Sequence, residues 1–333
     1  MNALVALIFM GILVLIPLVG AGGGNAHWLF AYGIPYAAIT VFLIGFVTKI
    51  LGWANSPVPF RIPTTSGQQK SLPWIEQSKL ESPSNAWQTF LRMALEILFF
   101  RSLFRNTSTT LYKNEKIVYG SNKILWAAGL VFHYSFLVIF IRHFKYFAEP
   151  VPAFVQLAQG LDGFFQIGLP ILYLTDLGLL AGLGVLLWRR FFDARLRYIS
   201  LTTDYFALFL ILGIGATGMM MRYLPAFRVD IVQVKQLGTG LLGGHPVAPD
   251  GIGSLFYIHL FLVSSLLAYF PFSKLMHLGG VFLSPTRNLA NNNRMKRHIN
   301  PWNPKLATHS YEEYEDDFRD VMRAAEMPLD KEN

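Results

Sequence analysis

The chain has 333 residues, of which 53% are apolar and only 14% are charged, a balance that excludes an ordinary soluble protein of two or three domains. No Asp, Glu, Lys or Arg occurs in the first 48 residues, which indicates membrane segments from the start. Cys is absent, so disulfides, thiolate-bound iron–sulfur clusters, zinc ribbons and covalently attached c-type haem are excluded. We interpret the net charge of +8 as a sign of cytoplasmic flanks rather than of nucleic-acid binding.

Six segments are long and apolar enough to cross a lipid bilayer, which requires about 20 mostly apolar residues. In chain order they are residues 3–19, 28–51, 124–141, 164–188, 205–221 and 255–272. The first lacks the basic N-terminal region of a signal peptide, so we expect it to be a retained anchor. The sequence predicts an all-α integral membrane protein with six transmembrane helices, multi-pass, and with both termini on one side.

Basic residues predict which side each connection faces, because short loops rich in Lys and Arg stay in the cytoplasm. The connection after the second span, the loop 189–197 and the C-terminal tail, with their flanks, hold 23 of the 28 basic residues. The connections 142–162 and 222–253 are therefore expected outside. Both termini are expected in the cytoplasm, which for a bacterial-type cell makes the host membrane the inner membrane.

The pattern divides the chain into four parts: a two-helix membrane hairpin (1–52), a cytoplasmic loop (53–121), a membrane domain (122–285) and a cytoplasmic tail (286–333). Within the loop, apolar side chains recur at helical spacing from Trp87 to Leu98. They predict an amphipathic helix, capped by Ser84 or Asn85, that lies on the inner membrane surface or against a partner. The tail carries an acidic run at 312–317 and is either a solvated end or a docking segment.

Four of the eight histidines fall within or at the ends of the predicted spans. Ionisable side chains are costly in a bilayer, so each is a candidate functional residue, although a neutral His bonded to a neighbouring helix is the alternative for any one of them. The third and sixth spans run antiparallel, so we expect His133 to lie level with His277 at the inner face. At the outer face we expect His143 to lie level with His259.

Two membrane imidazoles at one level match the needs of haem iron, which takes its four equatorial nitrogens from the porphyrin and only two axial ligands from the protein. Zinc would require four ligands per site, and calcium or magnesium would require oxygens. The spacing therefore predicts two haems b, with the four histidines as iron ligands. Gly129, Gly178, Gly182 and Gly184 either admit a porphyrin or pack helices, and helix packing is the commoner role.

Two stretches carry a family resemblance: SNKILWAAGLVFHYSFLVIFIRHF, with His133 and His143, and FYIHLFLVSSLLAYFPFSKLMHLGGVFLSP, with His259 and His277. Residues from about 121 to 285 resemble the cytochrome b gamma subunit of membrane-bound respiratory nitrate reductase. The string PFSKLMH at 271–277 is the most specific element. In that family the matching histidines ligate a dihaem pair in the same pairing, which implies a dihaem cytochrome b core of four to five helices.

The added first span, the long inner loop and the segment SPTRNLANNNRMKRHINPWNP at 284–304 depart from nitrate reductase. They resemble the DsrM-type membrane subunit of the sulfite-reduction-associated (Dsr) transmembrane complex. This resemblance implies electron transfer between menaquinone and a cytoplasmic iron–sulfur, heterodisulfide-reductase-like subunit in sulfate or sulfite respiration. It also implies periplasmic multihaem c and ferredoxin-like subunits and a second quinone-active membrane subunit.

Charged residues near the outer face are further candidate site residues. Arg142, Lys145 and Arg222 are candidates for contact with haem propionates or quinone, although interfacial snorkelling explains them equally well. Asp176 within the fourth span either relays protons or is neutral and bonded to a hydroxyl. The resemblance places a quinone pocket at the outer face, with residues 223–253 as its cover.

The competing hypothesis is a non-redox membrane transporter or scaffold whose histidines relay protons or pack. The absence of an internal repeat and the scarcity of carboxylates in the spans disfavour it. We therefore expect an electron-transfer subunit of a quinone-linked oxidoreductase complex. Its partner is expected to dock at the inner face, on the amphipathic helix, on the tail through Asp330, and on the basic residues Arg287, Arg294, Lys296 and Arg297.

Overall fold

The computed structural model describes residues 1–23, 26–56, 67–111, 116–163, 171–249, 251–283, 288–296 and 307–331. Its α-helices are α1 (Asn2–Gly20), α2 (Ile34–Ala54), α3 (Ala86–Phe99), α4 (Arg101–Phe104), α5 (Lys123–His143), α6 (Ala153–Asp162), α7 (Leu174–Phe192), α8 (Ala194–Ile199), α9 (Thr202–Tyr223), α10 (Ile231–Gly243), α11 (Ser254–Tyr269), α12 (His277–Leu283) and α13 (Tyr311–Ala324). Strands β1 (Thr107–Leu111) and β2 (Ile117–Ser121) form a hairpin. A π-helical segment, Leu29–Gly33, leads into α2, and 3-10 turns occur at Phe144–Tyr146, Pro225–Phe227, Phe270–Phe272 and Lys274–Met276.

Within the described residues, five helical segments are long and apolar enough to cross a membrane, and they coincide with five of the six predicted spans. They are Asn2–Gly20, Leu29–Ala54, Lys123–Tyr146, Thr202–Tyr223 and Ser254–Phe272. The predicted fourth span, 164–188, is shifted: α7 begins at Leu174, and residues 164–170 lie outside the described part. Asp176, Arg189 and Arg190 make α7 more polar than the other five.

The six long helices α1, α2, α5, α7, α9 and α11 alternate in direction. We name the two ends of the bundle after the histidines that they carry, the His133 end and the His143 end. At the His133 end, the side-chain amide of Asn2 donates to the carbonyl of Ser200 at 2.8 Å, which brings the start of α1 next to the start of α9. At the opposite end, Ala21 packs with Phe256 and Tyr257 of α11. Successive long helices are therefore antiparallel, and each runs from one end of the bundle to the other.

Besides the cluster around Ala21, Phe256 and Tyr257, two further groups of buried apolar side chains form the core of the described bundle. Met10, Leu210 and Leu262 join α1, α9 and α11, and Leu183 with Ile211 joins α7 to α9. Outside these groups, large apolar side chains are exposed along the bundle, and Leu4 and Ile44 for example are 62% and 63% exposed. A surface this apolar is stable only in contact with lipid, so the burial pattern supports membrane insertion.

Glycines allow α7 to approach α5 closely. A Cβ atom at Gly182 would lie 3.0 Å from the Cα atom of Phe132, and one at Gly178 would collide with the hydroxyl of Ser135. A Cβ at Gly129 would make only an ordinary contact with Leu103 of α4, at 3.5 Å, and one at Gly184 would meet open space. At Gly178 and Gly182 the glycines make room for the neighbouring helix, which agrees with the packing explanation.

The amphipathic helix predicted from Trp87 to Leu98 is α3. The side-chain oxygen of Asn85 caps it by accepting the backbone N–H of Gln88 at 2.9 Å. The other end of α3 is tied to α5, because Trp126 donates to the carbonyl of Phe99 at 2.7 Å and the hydroxyl of Tyr134 donates to that of Leu98 at 2.8 Å. The helix thus lies against the membrane bundle at the His133 end.

The β1–β2 hairpin is an exception to the all-α prediction. It pairs in antiparallel register, with Thr107 opposite Ser121 and Leu111 opposite Ile117. β-Branched and aromatic residues dominate both strands, and such residues favour pleated structure over helix. The hairpin lies outside the membrane segments, so the bundle itself remains helical.

Two segments outside the bundle are held by polar contacts. Glu81 accepts hydrogen bonds from Arg101 and Arg105, and although burial raises the pKa of Glu81, the two guanidinium groups outweigh this effect and hold it below its usual value. Asn291 links the tail to the loop by donating its backbone N–H to the carbonyl of Pro83 at 2.6 Å. In the tail, the fully buried carboxylate of Glu315 accepts the backbone N–H groups of residues 330 and 331, at 2.7 and 3.0 Å, so the end of the chain folds back onto α13.

Candidate functional site

The four predicted histidines form two pairs, and each pair joins a histidine of α5 to a histidine of α11 or α12. The ring centroids of His133 and His277 lie 6.0 Å apart, with the ring planes at 80°. Those of His143 and His259 lie 6.4 Å apart, with the ring planes at 15°. These are the two pairs that the sequence predicts, at opposite ends of the bundle.

Each of the four imidazoles has a hydrogen-bond partner at Nδ1. His133 and His143 lie 2.8 and 2.7 Å from the carbonyl oxygens one turn earlier in α5, those of Gly129 and Ile139. His277 lies 2.7 Å from the carbonyl oxygen of Lys274. A carbonyl can only accept, so in these three rings Nδ1 carries the proton and Nε2 presents its lone pair.

His259 reaches the same state through a side chain. Its Nδ1 lies 2.9 Å from the hydroxyl oxygen of Thr217, and that hydroxyl donates to the carbonyl of Gly213 at 2.8 Å. Because the hydroxyl proton is engaged with the carbonyl, the oxygen of Thr217 accepts the proton of His259. The tautomer of His259 is therefore also Nδ1–H, and sequence analysis did not anticipate Thr217 because it lies 42 residues from its partner.

The geometry of both pairs fits two axial imidazoles on one metal ion. A metal–imidazole nitrogen bond is about 2 Å long and the nitrogen lies roughly 1 Å from its ring centroid, so two trans ligands place their centroids roughly 6 Å apart. Both observed separations agree with that value. In the described part of the chain, three or more His, Asp and Glu side chains do not come together as a metal-ligand set. Two-ligand sites suit haem, whose porphyrin supplies the other donors.

Aromatic rings surround the pair at the His133 end. The ring centroid of Phe100, between α3 and α4, lies 5.0 Å from that of His133 in an edge-on arrangement, and Phe132 lies 4.8 Å away. At the His143 end, Tyr146 lies 5.8 Å from His143, and a Cβ at Gly218 would lie 3.2 Å from Cε1 of His259. Gly218 is thus needed for the close approach of α9 to this ligand.

A buried ionic cluster adjoins the pair at the His143 end. The guanidinium of Arg142 pairs with Asp176, and its Nε lies 3.1 Å from the carboxylate of Asp162. Asp176 also accepts a hydrogen bond from the hydroxyl of Tyr223 at 2.7 Å. The hydroxyl partner suggested by the sequence is therefore present in Tyr223, and Arg142 is a second partner of Asp176 that the sequence did not indicate.

The three cations predicted near the outer face have different surroundings. Arg142 is buried within the ionic cluster and stacks on Tyr173, at 3.8 Å from its ring centroid. Arg222 stacks on the same ring at 4.1 Å and donates to the carbonyl of Ile171 at 3.1 Å. Lys145 lies over the ring of Tyr146, with its ammonium 5.0 Å from the ring centroid, and it lines a cavity. All three cations therefore contact an aromatic ring of the chain, and Lys145 is the one that also borders the cavity.

The cavity at the His143 end has a volume of about 570 Å³. Its walls come from the segment that follows α5, from α6, from the start of α7 and from α10, which belongs to the predicted cover 223–253. The lining residues are Lys145, Tyr146, Val151, Gln156, Gln159, Gly160, Gly163, Ile171, Tyr173, Ile231 and Lys235. Tyr146 both lines the cavity and lies beside His143, so the cavity and this histidine pair are neighbours.

Comparison with known proteins gives a consistent family assignment. Residues 86–298, which include all four paired histidines, match the model of the nitrate reductase gamma subunit family. A protein of Archaeoglobus fulgidus, described as an Hdr-like menaquinol oxidoreductase cytochrome b-like subunit, is 45% identical over 283 residues, covering 83% of this chain and 84% of the relative. A protein of Archaeoglobus profundus with the same description is 39% identical over 280 residues, covering 82% of each chain. The predicted family resemblance is confirmed: the chain belongs to the nitrate reductase gamma subunit family.

Proposed function

We propose that this chain is the cytochrome b subunit of a quinone-linked membrane oxidoreductase and that it holds two haems b. His133 and His277 would ligate one iron, and His143 and His259 the other. The observation that carries the proposal is the pairing itself. Within each pair, the two imidazole ring centroids lie about 6 Å apart, and each ring has Nδ1 engaged in a hydrogen bond and Nε2 available. When bound, each haem supplies one-electron redox chemistry at its iron.

The chain's residues prepare both sites by orienting the ligands. Hydrogen bonds at Nδ1 fix the tautomer of each imidazole and raise the basicity of its other nitrogen. The rings of Phe100 and Phe132 pack edge-on to His133, and Gly218 packs closely on His259 at the opposite end. The surroundings of the axial ligands are one determinant of haem potential, so these contacts would influence redox behaviour as well as binding.

The cavity beside His143 is the proposed binding site for menaquinone and menaquinol. Its volume falls within the range of about 300–1,000 Å³ that is typical of small-molecule sites, and its wall is mostly apolar with a few polar groups. Lys145 supplies a cation for a polar headgroup, Lys235 lies in the same wall but is ion-paired with Glu149, and Ile171 and Ile231 supply apolar contacts. The names of both relatives, which include menaquinol oxidoreductase, support this substrate class.

The proposed topology has six transmembrane helices and both termini in the cytoplasm. Five are the long apolar segments described above, and α7, the fourth in chain order, is added to them. The alternating direction of the long helices supports it, as does the concentration of basic residues in the connections at the His133 end. In this orientation the His133 end faces the cytoplasm of the inner membrane. The quinone cavity lies at the outer face, so oxidation of a quinol there releases its protons outside.

We further propose that the His133 end contacts a cytoplasmic iron–sulfur, heterodisulfide-reductase-like subunit. A chain without Cys holds no thiolate-bound clusters, and the Hdr-like description of the relatives supports such a partner. Candidate contacts are α3, the tail through Asp330, and the basic stretch that includes Arg294 and Lys296. Arg287 and Arg297 of that stretch lie outside the described residues.

The remainder of the proposed complex rests on the family resemblance. It comprises periplasmic multihaem c and ferredoxin-like subunits and a second quinone-active membrane subunit, in a chain of electron transfer for sulfate or sulfite respiration. Purification of the tagged chain from its own membranes would test these partners by their haem c content and iron–sulfur content.

The decisive experiment is a haem count on the purified chain, combined with reduction by a soluble menaquinol analogue. We expect two non-covalent haems b per chain and quinol-dependent reduction of their absorbance bands. A chain purified with full secondary structure and no b-type absorbance would instead favour the transporter or scaffold hypothesis. A second test is truncation of the chain after Pro285, which removes the C-terminal tail and retains all four histidine ligands. We expect the truncated chain to keep both haems and to lose the iron–sulfur partner during purification.

A further inference from the structure

His277 is held differently from the other three proposed ligands. His133, His143 and His259 all lie within α-helices. His277 follows a 3-10 turn, Lys274–Met276, that separates the end of α11 from the start of α12. Its Nδ1 bonds to the carbonyl of Lys274 in that turn, at 2.7 Å. A short 3-10 turn has fewer and poorer backbone hydrogen bonds than an α-helix, so contacts from neighbouring elements must hold this carbonyl in place.

An ion pair anchors residue 274. The ammonium nitrogen of Lys274 lies 2.7 Å from Oδ1 of Asp204, in the first turn of α9. The Asp204 side chain is only 7% exposed, and its second oxygen accepts the backbone N–H of Leu201 at 3.0 Å. Both carboxylate oxygens are therefore engaged, and the positive end of the α9 dipole stabilises the charge.

The residues on either side of Lys274 are fixed by separate contacts. The hydroxyl of Ser273 accepts the N–H of Leu275 at 3.2 Å, and Met276 is 3% exposed. Pro271 packs against α2 at Gly45, where a Cβ would lie 2.8 Å from the proline ring. Within the turn, Lys274 is the residue whose side chain forms an ion pair with another membrane helix, α9.

We propose that Asp204 is a positioning residue for the proposed haem ligand His277. By holding the side chain of Lys274, Asp204 fixes the backbone carbonyl that orients the imidazole, and so determines the ring angle of this ligand. The inference rests on the proposed function, because it requires haem between His133 and His277. It assigns Asp204 a role beyond that of capping α9.

The test compares Asp204→Asn, Lys274→Met and the control Asp193→Asn in the complete chain in its own membranes. Asp193 lies at the same end of the bundle, where its carboxylate caps α8. The readouts are the EPR g value and the midpoint potential of each haem, and the component that His277→Ala removes identifies the haem in question. We expect Asp204→Asn and Lys274→Met to shift the g value of that component in the same direction. Asp204→Glu should retain the wild-type signal, and Asp193→Asn should leave both components unchanged.

A g value that stays unchanged in both Asp204→Asn and Lys274→Met would overturn the positioning role. This holds even if the two midpoint potentials shift in opposite directions, since removing a negative and a positive charge would do this by simple electrostatics. Failure of the proposed function is recognised separately: His277→Ala would then remove no haem component at all.

Discussion

At the His143 end of the bundle, His143 and His259 belong to continuous helices, α5 and α11, and the buried ionic cluster around Arg142 lies beside them. At the His133 end, His277 follows an interrupted helix, and the cover consists of α3 and the aromatic ring of Phe100. The ring planes differ correspondingly, being nearly parallel at 15° in the first pair and nearly perpendicular at 80° in the second. At each end, one histidine is held by the carbonyl one turn earlier in α5, and its partner is held by a contact outside α5.

The difference matters for how each site responds to substitution. A backbone carbonyl within an α-helix cannot be removed by changing its side chain, so His133 and His143 keep their acceptors in most variants. The acceptors of His259 and His277 depend on Thr217 and on the turn at Lys274, and both are open to mutation. Each pair therefore contains one ligand with a fixed orientation and one with an adjustable orientation.

The largest expected effect follows from removing a ligand at either end. His259→Ala and His277→Ala should each halve the haem content, because one axial bond of one iron is lost in each. Pyridine haemochrome analysis and redox titration measure the loss, and the two variants should lack different spectral components. His245→Ala, at an exposed position, serves as the control. Loss of the same component in both variants would show that the two pairs are wrongly assigned.

The next effect distinguishes the buried cluster from the ion pair at the other end. Arg142→Leu leaves Asp162 and Asp176 without their cation, and breaking such a buried pair costs about 3–5 kcal/mol of stability. Lys274→Met should cost about 1 kcal/mol at most, because the lysine side chain is 75% exposed. Thermal unfolding in detergent compares them.

Two control variants test whether the stability loss in Arg142→Leu comes from breaking the buried ion pairs. Arg228→Leu removes an arginine at an exposed position and should leave stability nearly unchanged. The double variant Arg142→Leu with Asp176→Asn should recover part of the loss, since one uncompensated charge is then removed. Equal losses for Arg142→Leu and Lys274→Met would contradict the contrast between the two ends.

A smaller effect concerns the adjustable ligand at the His143 end. Thr217→Val keeps the shape of the side chain but removes the acceptor for Nδ1–H of His259, and loss of such a partner typically weakens metal binding about 10–100-fold. Haem retention during dilution, followed by absorbance, measures this. Thr217→Ser should behave like wild type. Thr40→Val, which removes a hydroxyl bonded to the carbonyl one turn earlier, is the matched control, and a similar loss in both would contradict the role of Thr217.

The smallest effect tests the cavity at the His143 end. Gly160 lines it, and a Cβ there would meet no atom within 4 Å, so Gly160→Phe should fit and occupy the space. We expect quinol-dependent haem reduction to fall roughly tenfold, equivalent to about 1.4 kcal/mol, with the dithionite-reduced spectrum unchanged. Gly184→Phe, at a glycine with the same open surroundings on α7, should have no effect. Unaltered quinol kinetics in Gly160→Phe would move the quinone site elsewhere.

Sequence patterns predicted those parts of the molecule that depend on composition and spacing. Long apolar runs gave five of the spans, the helical repeat gave α3, and the histidine spacing gave both pairs. The predicted fourth span begins at residue 164, whereas α7 begins at Leu174 and the apolar residues just before it, 171–173, are not helical. Apolar composition alone does not define where a helix begins.

Other features depend on contacts between residues that are distant in the sequence. Arg142, Asp162, Asp176 and Tyr223 belong to four different elements, so no local pattern could show that they form one cluster. The interruption after α11 did have a signal, since Pro271 lacks a backbone N–H and ends the α-helical ladder. We treated the sixth span as continuous in estimating the level of His277, and the pairing holds because the turn still brings His277 to His133.

The backbone of Phe100 has a consequence for evolution of the His133 end. Its φ of 50° and ψ of 47° are left-handed, a conformation that costs a bulky residue roughly 1–2 kcal/mol and that glycine adopts freely. A glycine here would relieve that strain, yet it would remove the ring that packs edge-on against His133. Selection for stability and selection for a packed ligand thus act in opposite directions at this one position, and a library of substitutions at Phe100 should separate variants that unfold less readily from those that keep their haem.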